Sequence, residues 1–267
     1  MQRVLGIFRT GVMIALVGAS LGACTINEEP AYVERPVAEI YNSAMNYMKD
    51  GYYKEAANEF DEVERQHPYS VWATKAQLMA AYSYYQNNRY DDAIIALDRF
   101  IQLHPANRDT SYAYYLKALS YYEQISDVAR DQKMTELALN ALNEIIKRFP
   151  ETQYARDAKI KIDLTHDHLA GKEMNIGRYY LKQKQYLAAI NRFRTVVEKY
   201  DTTTHVPEAL HRLTEAYLAL GITSEARKTA AVLGHNFPNS EWYADSYALF
   251  EGKPSAEKEE SPWYKVW

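Results

Sequence analysis

Apolar residues recur along this chain at helical spacing, in blocks that close alike. The phrases RQHPYS, QLHPAN, KRFPET and HNFPNS each end an amphipathic stretch, with a proline where a helix cannot continue. Ahead of the closing phrases stand Tyr47, Tyr84, Tyr121, Tyr180 and Tyr217, followed in turn by Ala56, Ala93, Ala138, Ala189 and Ala226. Bulky residues come next at Phe60, Leu97, Leu142 and Phe193, with Ala230 departing, and then at Val63, Phe100, Ile145, Val196 and Leu233. Pro68, Pro105, Pro150 and Pro238 close four blocks, and Asp201 stands where the fourth block lacks its proline. The pattern predicts a pair of antiparallel helices per block. Alanine allows the two helices to approach closely, large side chains fill the space between pairs, and proline stops the second helix.

The intervals locate two insertions. Tyrosine-to-tyrosine distances are 37, 37, 59 and 37 residues, and alanine-to-alanine distances are 37, 45, 51 and 37. Extra residues in the third block fall near QISDVARDQK and read as a longer polar loop. A second insertion lies in ETQYARDAKIKIDLTHDHLA, which has no proline and carries apolar residues at Tyr154, Ala158, Ile162 and Leu169. It is expected to lengthen a helix by nearly four turns. The block resembles the tetratricopeptide repeat, a helix-turn-helix unit with small and aromatic positions on its first helix, alanine on its second and a closing proline. The expected fold is therefore all-α: an α-solenoid of five tetratricopeptide-like helix-turn-helix repeats, three over residues 37–152 and, after the long helix, two more within 153–250.

The chain has 24 Tyr against 7 Phe, and the repeat frame says where many of them point. First-helix positions turned toward the inner groove are Tyr41, Met45 and Met48, then Leu78, Tyr82 and Tyr85, then Tyr112, Tyr115, Leu119 and Tyr122. Farther on they become Met174, Arg178, Leu181 and Lys182, then Glu208, His211, Glu215 and Leu218. Aromatic and methionine residues thus gather in the N-terminal half, and an exposed surface of that kind marks a binding site. Tyrosine combines a large ring with one hydroxyl at little entropic cost, which suits contact with an extended polypeptide.

The start of the chain has a different logic. Arg3 and Arg9 precede the apolar run G-V-M-I-A-L-V-G-A-S-L-G-A, too short to cross a bilayer, and the only cysteine, Cys24, closes it. This is the layout of a secretory signal. Leu21-Gly22-Ala23-Cys24 resembles the lipobox of bacterial lipoproteins. That resemblance implies cleavage after residue 23, S-diacylglycerol and N-palmitoyl groups on Cys24, and a membrane anchor that two or more chains make stable. Thr25, where an aspartate would retain such a protein at the inner membrane, points to the outer membrane facing the periplasm. Residues 24–36 read as a tether. The tail 251–267 reads as charged and flexible, with Trp263, Tyr264 and Trp267 at its end.

Removing residues 1–23 takes two arginines and moves the formal charge from −4 to −6. Nothing in that balance suggests nucleic acid, which calls for a basic patch. Catalytic and metal motifs are not found: His166 and His168 lie two apart and point in different directions on a helix, and there is no phosphate loop, nucleophile elbow or cysteine nucleophile once Cys24 is acylated. No enzyme, metal or cofactor is expected beyond the lipid.

The lipobox, the spacing of the five repeats and the segments PVAEIYNSAMNYMKDGYYKEAANEFDEVERQHPYS and RYYLKQKQYLAAINRFRTVVEKYDTT together resemble the BamD family of outer-membrane assembly lipoproteins. The resemblance implies a non-catalytic subunit of the machine that inserts β-barrel proteins into the outer membrane. It also implies contact with the membrane-proximal POTRA domain of BamA and with the other Bam lipoproteins. The family's receptor contact maps onto Asn191 and Arg192 here. The tyrosine groove is then expected to receive unfolded barrel strands, which alternate apolar and polar side chains. An alternative at this point is a periplasmic repeat lipoprotein that coordinates or activates peptidoglycan synthesis or envelope constriction.

Overall fold

The computed structural model describes residues 33–250. The expected signal segment, Cys24 with its lipid, most of the tether and the aromatic tail lie outside the described residues. The described chain is helical throughout: α1 (Val37–Lys49), α2 (Tyr53–Gln66), α3 (Val71–Gln86), α4 (Tyr90–Leu103), α5 (Thr110–Tyr122), α6 (Lys133–Arg148), α7 (Gln153–Lys182), α8 (Tyr186–Lys199), α9 (Val206–Ala219), α10 (Thr223–Asn236) and α11 (Glu241–Phe250).

Each helix packs on the next, so the chain builds a row of hairpins. Ala56, Ala93, Ala138, Ala189 and Ala226 on the second helices are fully buried. A second small series, not read from the sequence, lies on the first helices at Ala44, Ala81, Ala118, Gly177 and Thr214 and is buried as well. Phe60, Leu97, Leu142 and Phe193 pack among these small residues and are wholly buried. In the fifth repeat, where Ala230 replaces the large side chain, the space is treated differently. Thr214 and Thr229 face each other with their hydroxyls 2.8 Å apart.

The turns repeat as closely as the helices. His67, His104, Phe149, Tyr200 and Phe237, which end the second helices, share φ between −133° and −126° and ψ between 42° and 57°. Four of them precede proline, which disfavours the helical region for the residue before it. Tyr200 adopts the same geometry before Asp201. Within four hairpins the turn passes through a left-handed residue, Gly51, Asn88, Lys184 or Gly221. The third hairpin instead carries the inserted loop, which runs from the end of α5 to the start of α6.

Successive first helices also touch one another, α1 with α3, α3 with α5 and α5 with α7. Among the described residues no comparably extensive contact joins successive second helices, so the first helices form the inner, tighter layer of the curve. The expected long helix is α7, 30 residues and about 45 Å in length. Its N-terminal part, with Ala155, Ala158 and Ile162, packs in one core with Leu142 and Ile145. Its C-terminal part, with Ala170 and Met174, belongs to another with Phe193, Leu210 and Leu213. The inserted loop braces its middle. Lys172 Nζ donates to the carbonyls of Ala129 and Arg130 at 2.9 and 3.1 Å, while Val128 lies 3.3 Å from where a Cβ on Gly171 would sit.

A side chain at Gly177 would run into the Phe193 ring, which is fully buried. Gly177→Ala is expected to destabilise the chain by about 1–3 kcal/mol, the usual cost of overpacking, measured by chemical denaturation. Adding Phe193→Leu should recover part of the loss, since alanine with leucine is the combination used by Ala81 with Leu97 and Ala118 with Leu142.

Candidate functional site

On the inner layer, α3 places Tyr82 and Tyr85 three residues apart, and α5 places Tyr112, Tyr115 and Tyr122 at intervals of three and seven. Those intervals put each set on one helix face. The contact between α3 and α5 brings the two sets together, and α7 adds Tyr154 and Asp157. The Tyr115 and Tyr154 rings stack with centroids 5.1 Å apart and planes 28° from parallel, and Tyr112 lies 5.6 Å from the same Tyr154 ring. Tyr85 meets Tyr90 edge to face at 5.7 Å. All five groove tyrosines predicted on these helices are half-buried and packed against the core.

Their hydroxyls are largely used within the fold. Tyr115 donates to the Asp157 carboxylate, Tyr85 donates to Glu123 at 3.4 Å, and Tyr82 accepts from the Gln86 amide at 2.9 Å. Lys161 stands 4.8 Å from the Tyr122 ring centroid and 3.8 Å from Asp157. Burial, reinforced by Glu123 and neighbouring tyrosines, pushes the Tyr85 phenol up to about 12. Burial also raises Tyr112 and Tyr115, with the Asp157 hydrogen bond adding to the effect at Tyr115. The face is thus a neutral aromatic surface edged by two carboxylates. Tyr154, Asp157 and Glu123 were not among the first-helix positions that the repeat frame turns toward the groove, so only the structure brings them to it.

Two expectations change. Tyr41 is 5% exposed, its ring 5.5 Å from Phe60 and 4.8 Å from Trp72. It is a core residue, and only Met45 and Met48, half-buried against the same core, remain near the surface in the first repeat. In the C-terminal half, Met174, Glu208 and His211 of the expected groove are buried, whereas Lys182 is exposed. α11 packs across α9 and covers His211. His211 Nδ1 lies 2.8 Å from Ser246 Oγ and its ring 5.3 Å from Trp242. Burial opposes the Glu208 charge, yet hydrogen bonds and charge from Arg178, with Arg212 behind, outweigh it and hold the carboxyl below its usual range. Arg178 Nε donates to Glu208 at 2.8 Å.

Asn191 and Arg192 lie on α8, a second helix, and so in the outer layer, apart from the tyrosines. Asn191 is exposed. Arg192 reaches Glu173 on α7 at 3.1 Å with 42% of its side chain exposed. Among the described residues no group of His, Cys, Asp and Glu is placed to hold a metal ion, and no helix is long and apolar enough to cross a membrane.

The family model described as "YfiO: Outer membrane lipoprotein" matches residues 33–233. The chain belongs to the YfiO outer-membrane lipoprotein family. Its relatives include a protein of Caulobacter vibrioides named outer membrane protein assembly factor BamD, 51% identical over 90% of this chain and 81% of that protein. A protein of the same name in Rickettsia prowazekii is 48% identical over 88% of this chain and 94% of that one. Among solved structures, the P58(IPK) TPR domain aligns with TM-score 0.42 and 14% identity, covering 80% of this chain and 56% of that one. A thermophilic TPR protein of Thermus thermophilus aligns with TM-score 0.37 and 17% identity, covering 81% and 98%. YfiO membership extends over all five hairpins up to Leu233 and leaves α11 outside the matched region.

The raised Tyr85 value carries a stability consequence. Between its ordinary 10.0 and about 12 the unfolded chain loses this proton while the folded chain keeps it, so stability falls as pH rises through that window. Tyr85→Phe is expected to flatten the fall, measured as the change in unfolding free energy between pH 10 and pH 12 for both proteins. An identical slope would contradict the assignment.

Proposed function

We propose that this chain serves outer-membrane protein assembly as a lipid-anchored, non-catalytic scaffold facing the periplasm. The observation that carries the reading is its kinship with two proteins named outer membrane protein assembly factor BamD, at 51% and 48% identity over most of the chain. The geometry supplies a means. The tyrosine face of α3, α5 and α7 receives extended segments of unfolded β-barrel proteins, whose alternating apolar side chains lie against the rings. The outer layer around Asn191 and Arg192 holds the POTRA domain of BamA, and other lipoproteins of the complex dock on the remaining surface. Acyl chains on Cys24 keep substrate and receptor near the membrane, so that local concentration replaces bond chemistry as the source of the effect.

The two faces are tested separately. A photoreactive residue at Tyr82 or Tyr115 is expected to crosslink to a peptide from the C-terminal strand of a barrel protein. Equal labelling by a scrambled peptide of the same composition would dispose of the tyrosine face as a substrate site. Arg192→Ala is expected to lower the amount of BamA recovered with the chain. Because Arg192 keeps 42% of its side chain exposed, solvent screens its pair with Glu173 and the stability change should be about 1 kcal/mol or less. Undiminished recovery of BamA takes Arg192 out of the contact.

A further inference from the structure

We propose that the turn between α2 and α3 is a membrane-contacting tip that seats the solenoid on the phospholipid surface to which it is tethered. The proposal rests on the reading of Cys24 as the acylated residue. Tyr69 at this turn is 101% exposed and Val71 is 89% exposed, and Trp72 beside them keeps 39% of its surface free. They are held out by a fixed turn. Ser70 N donates to the His67 carbonyl at 3.0 Å, and Ser70 Oγ caps α3 by accepting from Trp72 N at 3.2 Å. Trp72 is braced from behind by Tyr41.

The other turns of the same kind provide an internal comparison. Their backbones bend alike, but the residues standing where Tyr69 and Val71 stand are Ala106 and Arg108, Glu151 and Gln153, Thr202 and Thr204, and Asn239 and Glu241. An aromatic and a β-branched apolar side chain presented to solvent together therefore occur in the first of these turns and are replaced by small or polar residues in the four later ones. The first turn also lies at the edge where the solenoid begins. Tyr41, near the start of α1, touches Trp72 at the start of α3, so the chain enters the solenoid at this edge. From Cys24 to Val37 the backbone spans at most about 45 Å when fully extended, which keeps this edge near the anchored lipid. Tyrosine and tryptophan suit the headgroup region, where one end of the side chain is apolar and the other wet. Tethering makes even a weak interfacial affinity sufficient.

The acylated full chain has no free thiol, so Tyr69→Cys introduces one that can carry an environment-sensitive dye. Reconstituted in phosphatidylethanolamine and phosphatidylglycerol vesicles, the dye at position 69 is expected to shift to the blue. A nitroxide lipid should quench it about twofold or more relative to the same dye at Ala106→Cys, consistent with insertion to the headgroup boundary. Val71→Ser beside the label should reduce the quenching. One dye per chain with equal quenching at 69 and 106 overturns the tip while leaving the anchor intact. Two dyes per chain mean a free Cys24 and overturn the anchor, and the tip with it. A shift at position 69 that appears only when another protein is added, without quenching by lipid, assigns the tip to that protein and overturns the membrane reading.

Discussion

Helices in this chain can stack as they do because a small side chain stands wherever two of them approach most closely. Ala44, Ala81, Ala118, Gly177 and Thr214 on the first helices and Ala56, Ala93, Ala138, Ala189 and Ala226 on the second occupy those places and are buried. The closeness leaves niches that Phe60, Leu97, Leu142 and Phe193 fill, each contributing about 1.5–3 kcal/mol by burial. Since every hairpin touches mainly its neighbours, cohesion is a sum of local terms. A single intrusion such as a methyl group at Gly177 acts on one junction rather than on a common core.

That economy leaves the outward positions of both layers free to differ. The inner layer carries tyrosines, the outer layer carries Asn191 and Arg192, and α7 connects them without a break by belonging to the core on either side of its middle. Lys172 and Gly171 hold the inserted loop against that middle, and Asp167 accepts from Thr204 N and Oγ1 at 3.2 and 2.8 Å. A helix gripped in this way is a strut, which fixes the spacing of what lies at its two ends.

The sequence register was legible because it expresses a steric rule: a buried position cannot drift, so Phe60, Leu97, Leu142 and Phe193 stand out even across two insertions. The groove was less legible, for a reason visible in one pair of rings. Tyr41 and Trp72 in the first repeat correspond to Tyr115 and Tyr154 in the third, and both pairs are in ring contact. With tryptophan as the second member the first ring is covered; with tyrosine it stays half open. Periodicity gives the direction of a side chain but not the size of the one that lies over it. The covering of His211 was hidden similarly, because α11 lies beyond the last full repeat and its Trp242 and Ser246 acquire meaning only once they are seen against that ring.

Why tyrosine and not phenylalanine lines the inner face follows from the acceptors beside it. A phenylalanine surface of this extent would be sticky toward any apolar partner, including another copy of the chain. Here Asp157 and Glu123 accept hydrogen bonds from the hydroxyls of Tyr115 and Tyr85, which orients those rings. Burial and the nearby carboxylates keep the phenols neutral well past physiological pH. With the hydroxyls of Tyr115 and Tyr85 committed inside the fold, what those two residues offer outward is mainly ring surface, and their carboxylate partners line the same face. In the proposed role, such a surface would discriminate by the spacing of apolar side chains more than by their identity, which would suit many segments that share a pattern and not a sequence.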